Sequence, residues 1–87
     1  MNTTYAELLE TPQWHQKRRQ VLERDRHRCK NCGAANSLQV HHRQYHKVGY
    51  TGEFVFPWQY QNHLLVTLCN TCHEKGHSVY KVPVFII

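Results

Sequence analysis

Four cysteines in two widely separated pairs, Cys29-x-x-Cys32 and Cys69-x-x-Cys72, limit this chain more than any other feature. A CxxC turn presents two sulfurs to one point, and two such turns complete the tetrahedral set that zinc prefers. The competing use, disulfide formation, belongs to oxidising compartments. Residues Met1 to Glu10 are polar and include Glu7 and Glu10, so they lack the apolar core of an export signal. The expected compartment is therefore the cytoplasm, and the expected role of the cysteines is a structural zinc site. With 87 residues, a domain buries only roughly 60% of its unfolded surface. A metal staple is a common remedy at that size.

The chain has room for one domain. Residues 1–10 read as a leader or a short helix. Thr11-Pro12 is a helix start, with Thr as the cap and Pro in the first turn. A basic helix over 11–26 follows, with Trp14, Arg18, Val21, Leu22 and Asp25 at helical spacing on one face. Residues 29–33, Cys29-Lys30-Asn31-Cys32-Gly33, form a knuckle in which glycine permits a left-handed turn. Ser37 to His42 alternates as a strand does, and Leu64 to Leu68 is a second short apolar strand. Between them, 43–62 is a long connection. Its Tyr45, Tyr50, Phe54, Phe56 and Trp58 argue against disorder. A helix opens at Cys69 or Asn70 and runs to about Gly76 or His77. Residues 78–87 make an extension in which Pro83 limits any edge strand.

The formal net charge is +5, and seven of the eleven lysines and arginines lie between Lys17 and Lys30. Such a cluster suits a polyanion, with Lys17, Arg18, Arg24 and Arg28 as candidate nucleic-acid contacts. The plain alternative is a solvated helix face with ion pairs to Glu23 and Asp25. No stretch is long and apolar enough to span a membrane.

The segment Cys69-Asn70-Thr71-Cys72-His73-Glu74-Lys75-Gly76-His77 carries the chemistry. On a helix, Cys69 and Cys72 share one face while His73 and His77 share another, about 100° away. One helix can then serve two ions, with sulfur on one flank and nitrogen on the other. The third nitrogen ligand is expected from His41-His42. Neighbours on a strand face opposite ways, so one of the pair can bind metal while the other stays available as a base. Three protein ligands leave positions open, as catalytic metals require. His15, His27, His46 and His63 read by default as surface or hydrogen-bonded histidines.

The string CxxC, then Val40-His41-His42, then Leu65-Val66-Thr67-Leu68-Cys69-x-x-Cys72-His73-x-x-x-His77 resembles HNH endonucleases of the ββα-metal (His-Me finger) class. The likeness covers about Cys29 to His77. It implies an α+β, treble-clef-like, zinc-stabilised ββα-metal domain preceded by a basic helix, with the core over 37–77. It also implies a metal-dependent endonuclease that hydrolyses DNA phosphodiester bonds, most simply in duplex DNA. His42 matches the general base, and His41, His73 and His77 match the ligands of a catalytic divalent ion (Mg2+, Mn2+, Ni2+ or Zn2+). The position of the family's central asparagine is Leu64 here, which leaves Asn62, His63 or a main-chain carbonyl to orient His42. Arg43 stands where it can steady a phosphate. A homodimer or a partner subunit is compatible with so small a module, as is a non-catalytic zinc-stabilised nucleic-acid-binding domain.

Overall fold

A computed structural model describes residues 4–79 and 81–87, without the side chains of 77–79. Helix α1 (Tyr5–Leu8) is capped by Thr4, whose hydroxyl accepts the Glu7 amide at 3.2 Å. Helix α2 (Pro12–Arg24) begins as the Thr-Pro pair predicts, with Thr11 Oγ1 accepting the Trp14 amide at 3.3 Å. It ends without a glycine. Arg26 and His27 adopt left-handed φ values of 57° and 54°. Their amides return to the carbonyls of Glu23 (3.1 Å) and Leu22 (2.8 Å), the paired bonds of a Schellman ending.

Strands β1 (Leu38–His42) and β3 (Leu65–Cys69) pair antiparallel, with His41 opposite Val66, His42 opposite Leu65 and Leu38 opposite Cys69. Helix α3 (Asn70–Val79) follows β3 without a linking loop. The core lies between α2 and this pair of strands. Trp14, Val21, Tyr60 and Leu65 form its centre, and Leu9, Val40, Val55, Trp58 and Leu64 pack around them. Each such large apolar side chain contributes about 1.5–3 kcal/mol when fully buried. The helix face expected from spacing is therefore the buried face, Asp25 included.

The connection over 43–62 is more regular than its length implied. Strand β2 (Tyr45–Lys47) lies within it and pairs in parallel with β4 (Val84–Ile86), giving a second two-stranded sheet. Single 3-10 turns occupy Pro57–Gln59 and Asn62–Leu64. The Tyr60 hydroxyl accepts the His46 amide at 2.9 Å, which fastens this region to the core. Among the described residues of the C-terminal extension, strand structure is confined to the three residues after Pro83 and forms by pairing with β2. Within residues 4–10 the chain forms the short helix α1, and Tyr5 packs edge-on against His42, Tyr45 and Phe54. No helix among the described residues is long and apolar enough to cross a membrane.

Asp25 ties α2 to β3. Its carboxylate accepts the Thr67 amide at 3.0 Å and two Arg24 guanidinium bonds at 2.9 Å. Arg24 also donates to the Asn62 and Leu65 carbonyls at 2.6 and 2.7 Å. Burial pushes the Asp25 carboxyl up, but the Arg24 and Thr67 donors outweigh it and hold the group below its ordinary value. Removing the carboxylate leaves a buried amide and an arginine without their partner. Asp25→Ala is therefore expected to cost about 2–4 kcal/mol, against less than about 0.5 kcal/mol for exposed Arg19→Ala. Thermal melts of the two variants check this; equal melting temperatures would contradict the role given to Asp25.

Candidate metal centre

The four cysteines meet at one point. Their sulfurs all lie within 4.8 Å of one another, and none is in a disulfide. Cys32 Sγ and Cys69 Sγ are 3.6 Å apart. Sulfurs bound tetrahedrally to zinc at about 2.3 Å stand about 3.8 Å from each other, so the cluster has the size of a zinc site. The donor set fits as well, since four thiolates suit zinc and close its coordination sphere.

Local structure explains the convergence. Gly33 takes a φ of +81°, and its amide donates to the Cys29 carbonyl at 2.8 Å, turning the knuckle. The Cys29 amide donates to the Ala34 carbonyl at 2.8 Å, and the Lys30 amide donates to the Thr67 carbonyl at 2.9 Å. The second bond fixes the knuckle on β3 beside Cys69, the last residue of that strand. Cys72 then lies in the first turn of α3. Amides of Cys32 and Cys72 point at the sulfurs of Cys29 and Cys69, at 3.4 and 3.5 Å.

The thiols differ in acidity for physical reasons. Burial pushes Cys29 up, yet amide donors from Cys32, Cys69 and Asn31 bring it down to about 6. The Cys72 amide holds Cys69 below its ordinary value. At Cys72 the Asn31 amide, 3.3 Å away, favours the thiolate. Sharing its proton with the Cys69 sulfur, burial, and the sulfurs of Cys32 and Cys29 nevertheless push Cys72 up to about 12. Four like charges this close need a cation at their centre, and a dication in place of the shared proton removes the conflict.

The histidines gather elsewhere. On β1, His42 faces the core and is 4% exposed, while its neighbour His41 is half-buried. The His42 ring stacks against Trp14 (5.0 Å between centres) and Tyr45 (5.4 Å), with Tyr60 edge-on at 5.0 Å. Its Nε2 lies 3.1 Å from the Pro57 carbonyl. A carbonyl only accepts, so Nε2 carries the hydrogen and Nδ1 keeps its lone pair. Burial lowers the His42 pKa, and the Pro57 carbonyl only partly opposes this, so the ring is neutral at neutral pH. The hydrogen-bond partner of His42 is thus a main-chain carbonyl; Asn62 lies exposed in the second 3-10 turn, where its main-chain carbonyl accepts from Arg24.

His41 and His73 meet with ring centres 5.0 Å apart. The rings lie edge-on at 72°, a separation that an edge-to-face ring contact and a cation shared through nitrogen at about 2.1 Å both give. The His77 side chain lies outside the described residues. A cavity of about 290 Å³ brings together His41, His42 and His73 with Arg18, Tyr5 and Tyr45. Sequence reasoning missed Tyr5, Tyr45 and Pro57 at this site. Their contribution is contact across loops, which carries no spacing signal.

The remaining predicted residues disperse. Arg43 is exposed just past β1, away from this cavity and beside a second one. Arg18 donates to the Leu38 carbonyl at 3.3 Å and Arg28 to the Gly33 carbonyl at 3.2 Å. Lys17 is partly buried, which lowers its pKa. Of the histidines read as ordinary, His15, His27 and His63 are exposed, and His46 packs on Tyr60 and Phe85. No family model matches the chain, and no curated protein or solved structure is significantly similar to it.

Cys29→Ser and Cys72→Ser are each expected to lower zinc retention sharply and to abolish cooperative unfolding, because metal binding contributes much of the folding free energy. Metal analysis with circular dichroism before and after chelation checks this. A chelated protein that melts like the untreated one would contradict it.

Proposed function

We propose that this chain is a metal-dependent phosphodiester hydrolase of the HNH type, with β1, β3 and α3 as its ββα-metal core. The observation that carries the reading is the convergence of His41, His42 and His73 on one cavity. Two of these have the separation of co-ligands, and the third is a neutral imidazole fixed by a carbonyl. The motif likeness adds His77, one turn beyond His73, as the third ligand.

In this reading His41, His73 and His77 hold a divalent ion through nitrogen. When bound, the ion supplies positive charge against that developing on the leaving oxygen. His42 accepts a proton at Nδ1 from a water entering the cavity, while Nε2 stays bonded to Pro57 and fixes the ring. Tyr45 and Trp14, stacked on the ring, keep it from turning. Arg18, anchored by the Leu38 carbonyl, places a permanent positive charge on the cavity wall.

The near-complete burial of His42 favours a second reading, in which this histidine is a core residue and the domain binds nucleic acid without cleaving it. Zinc-loaded protein incubated with supercoiled plasmid and Mg2+, Mn2+, Ni2+ or added Zn2+ separates the two. The hydrolase reading predicts nicking with at least one ion. It predicts a rate at least about 100-fold lower in His42→Phe, which keeps an aromatic ring in the stack but removes the base. Retardation of DNA without cleavage under every ion would establish the binding module instead. A His42→Phe protein that nicks like the parent would remove His42 from the mechanism. His73→Ala is expected to lose activity and keep the thiolate-bound zinc, as metal analysis would report.

A further inference from the structure

The seven-residue concentration of charge in and after α2 is less available than the sequence implies. Arg18, Arg24 and Arg28 each direct guanidinium hydrogens at main-chain carbonyls of their own fold, and Arg24 is also paired with Asp25. A different set of cations surrounds a second depression, of about 650 Å³. Lys30 comes from the knuckle, Arg43 from the end of β1 and Lys75 from α3, and His41 also lines it. Among the described residues the Lys30 and Arg43 side chains make no hydrogen bond or ion pair, and no carboxylate lines the depression. Its apolar members, Val66 and Leu68, alternate along β3 and so face one side of the sheet.

The knuckle and α3, which share the thiolate cluster, and β1, which is paired with β3, therefore bring three positive side chains to one depression that includes His41. Because His41 lines both this depression and the cavity with His42 and His73, the two adjoin at that residue. The chemistry that matches lysine and arginine side chains spaced around a depression with no carboxylate in its lining is a string of phosphates. We propose that this groove, rather than the exposed face of α2, grips the phosphodiester backbone of duplex DNA, with Lys30, Arg43 and Lys75 as phosphate contacts. Its arrival at His41 as the reacting end rests on the hydrolase reading; the grip itself does not.

The test compares two double variants that each remove two positive charges: Lys30→Ala with Arg43→Ala in the groove, and Arg19→Ala with Arg26→Ala at exposed positions in and after α2. Binding of a fluorescein-labelled DNA duplex is followed by anisotropy over a salt series, using the zinc-loaded 87-residue chain with no further divalent ion. The groove variant is expected to bind roughly tenfold more weakly, and its plot of log affinity against log salt is expected to be shallower by about two. The α2 variant is expected to change both far less. Equal losses in the two variants, or a larger loss in the α2 variant, would overturn the groove assignment. Unchanged zinc content and melting temperature show that neither loss reflects unfolding. Plasmid nicking by the parent protein is scored separately. Groove-dependent binding without nicking leaves the groove and removes the hydrolase, whereas nicking with groove-independent binding does the reverse.

Discussion

Four sulfurs within reach of one ion hold the rest of this structure in place. The cluster joins the knuckle after α2, the end of β3 and the first turn of α3. Without it, two strands of five residues and a helix of ten would have little to fix their relative positions. The apolar core does not reach that far. It sits on the α2 side of the β1–β3 pair, among Trp14, Val21, Tyr60 and Leu65. The molecule thus has two unlike sources of cohesion around one small sheet, apolar burial against α2 and metal-compatible thiolates at the end of β3. The Asp25–Arg24–Thr67 network links them, because Thr67 donates its amide to Asp25 and its carbonyl accepts the Lys30 amide.

That plan sorts the histidines. Strand alternation sends His42 into the aromatic core and His41 toward α3, where it meets His73. Continuity of β3 with α3 puts Cys69 at a strand end and His73 a turn later, so thiolate and imidazole donors emerge from one short stretch of chain in different directions. In the proposed hydrolase this is economical physics. The structural ion fixes the helix, and the helix then fixes the ligands of the second ion. A base within the core keeps a lowered pKa and a single tautomer, set by burial and by the Pro57 carbonyl respectively.

Much of this was legible before the structure. The cap at Thr11, the buried stripe of α2, both strands of the main sheet and the convergence of the cysteines follow from local rules with fixed spacing. So does the opposition of His41 and His42. What stayed hidden depends on contacts between distant segments. No glycine marks the end of α2, where Arg26 and His27 take left-handed conformations. Arg24 looked like one more member of a basic cluster, but its partners are carbonyls 38 and 41 residues away in sequence. The parallel pairing of β2 with β4 has no alternation pattern on either side. Tyr5, in a segment that reads as a leader, lies against His42. The place of Pro57 beside that ring came from a loop whose path no periodicity describes.

The account stands on one helix serving two ions of different chemistry, and cobalt substitution tests that most directly. Metal-free protein titrated with Co2+ should take up a first equivalent with the charge-transfer absorption of tetrahedral thiolate coordination. A second equivalent should follow without sulfur absorption and should disappear in His73→Ala. Binding that stops at one equivalent, or a second ion indifferent to His73, would contradict it.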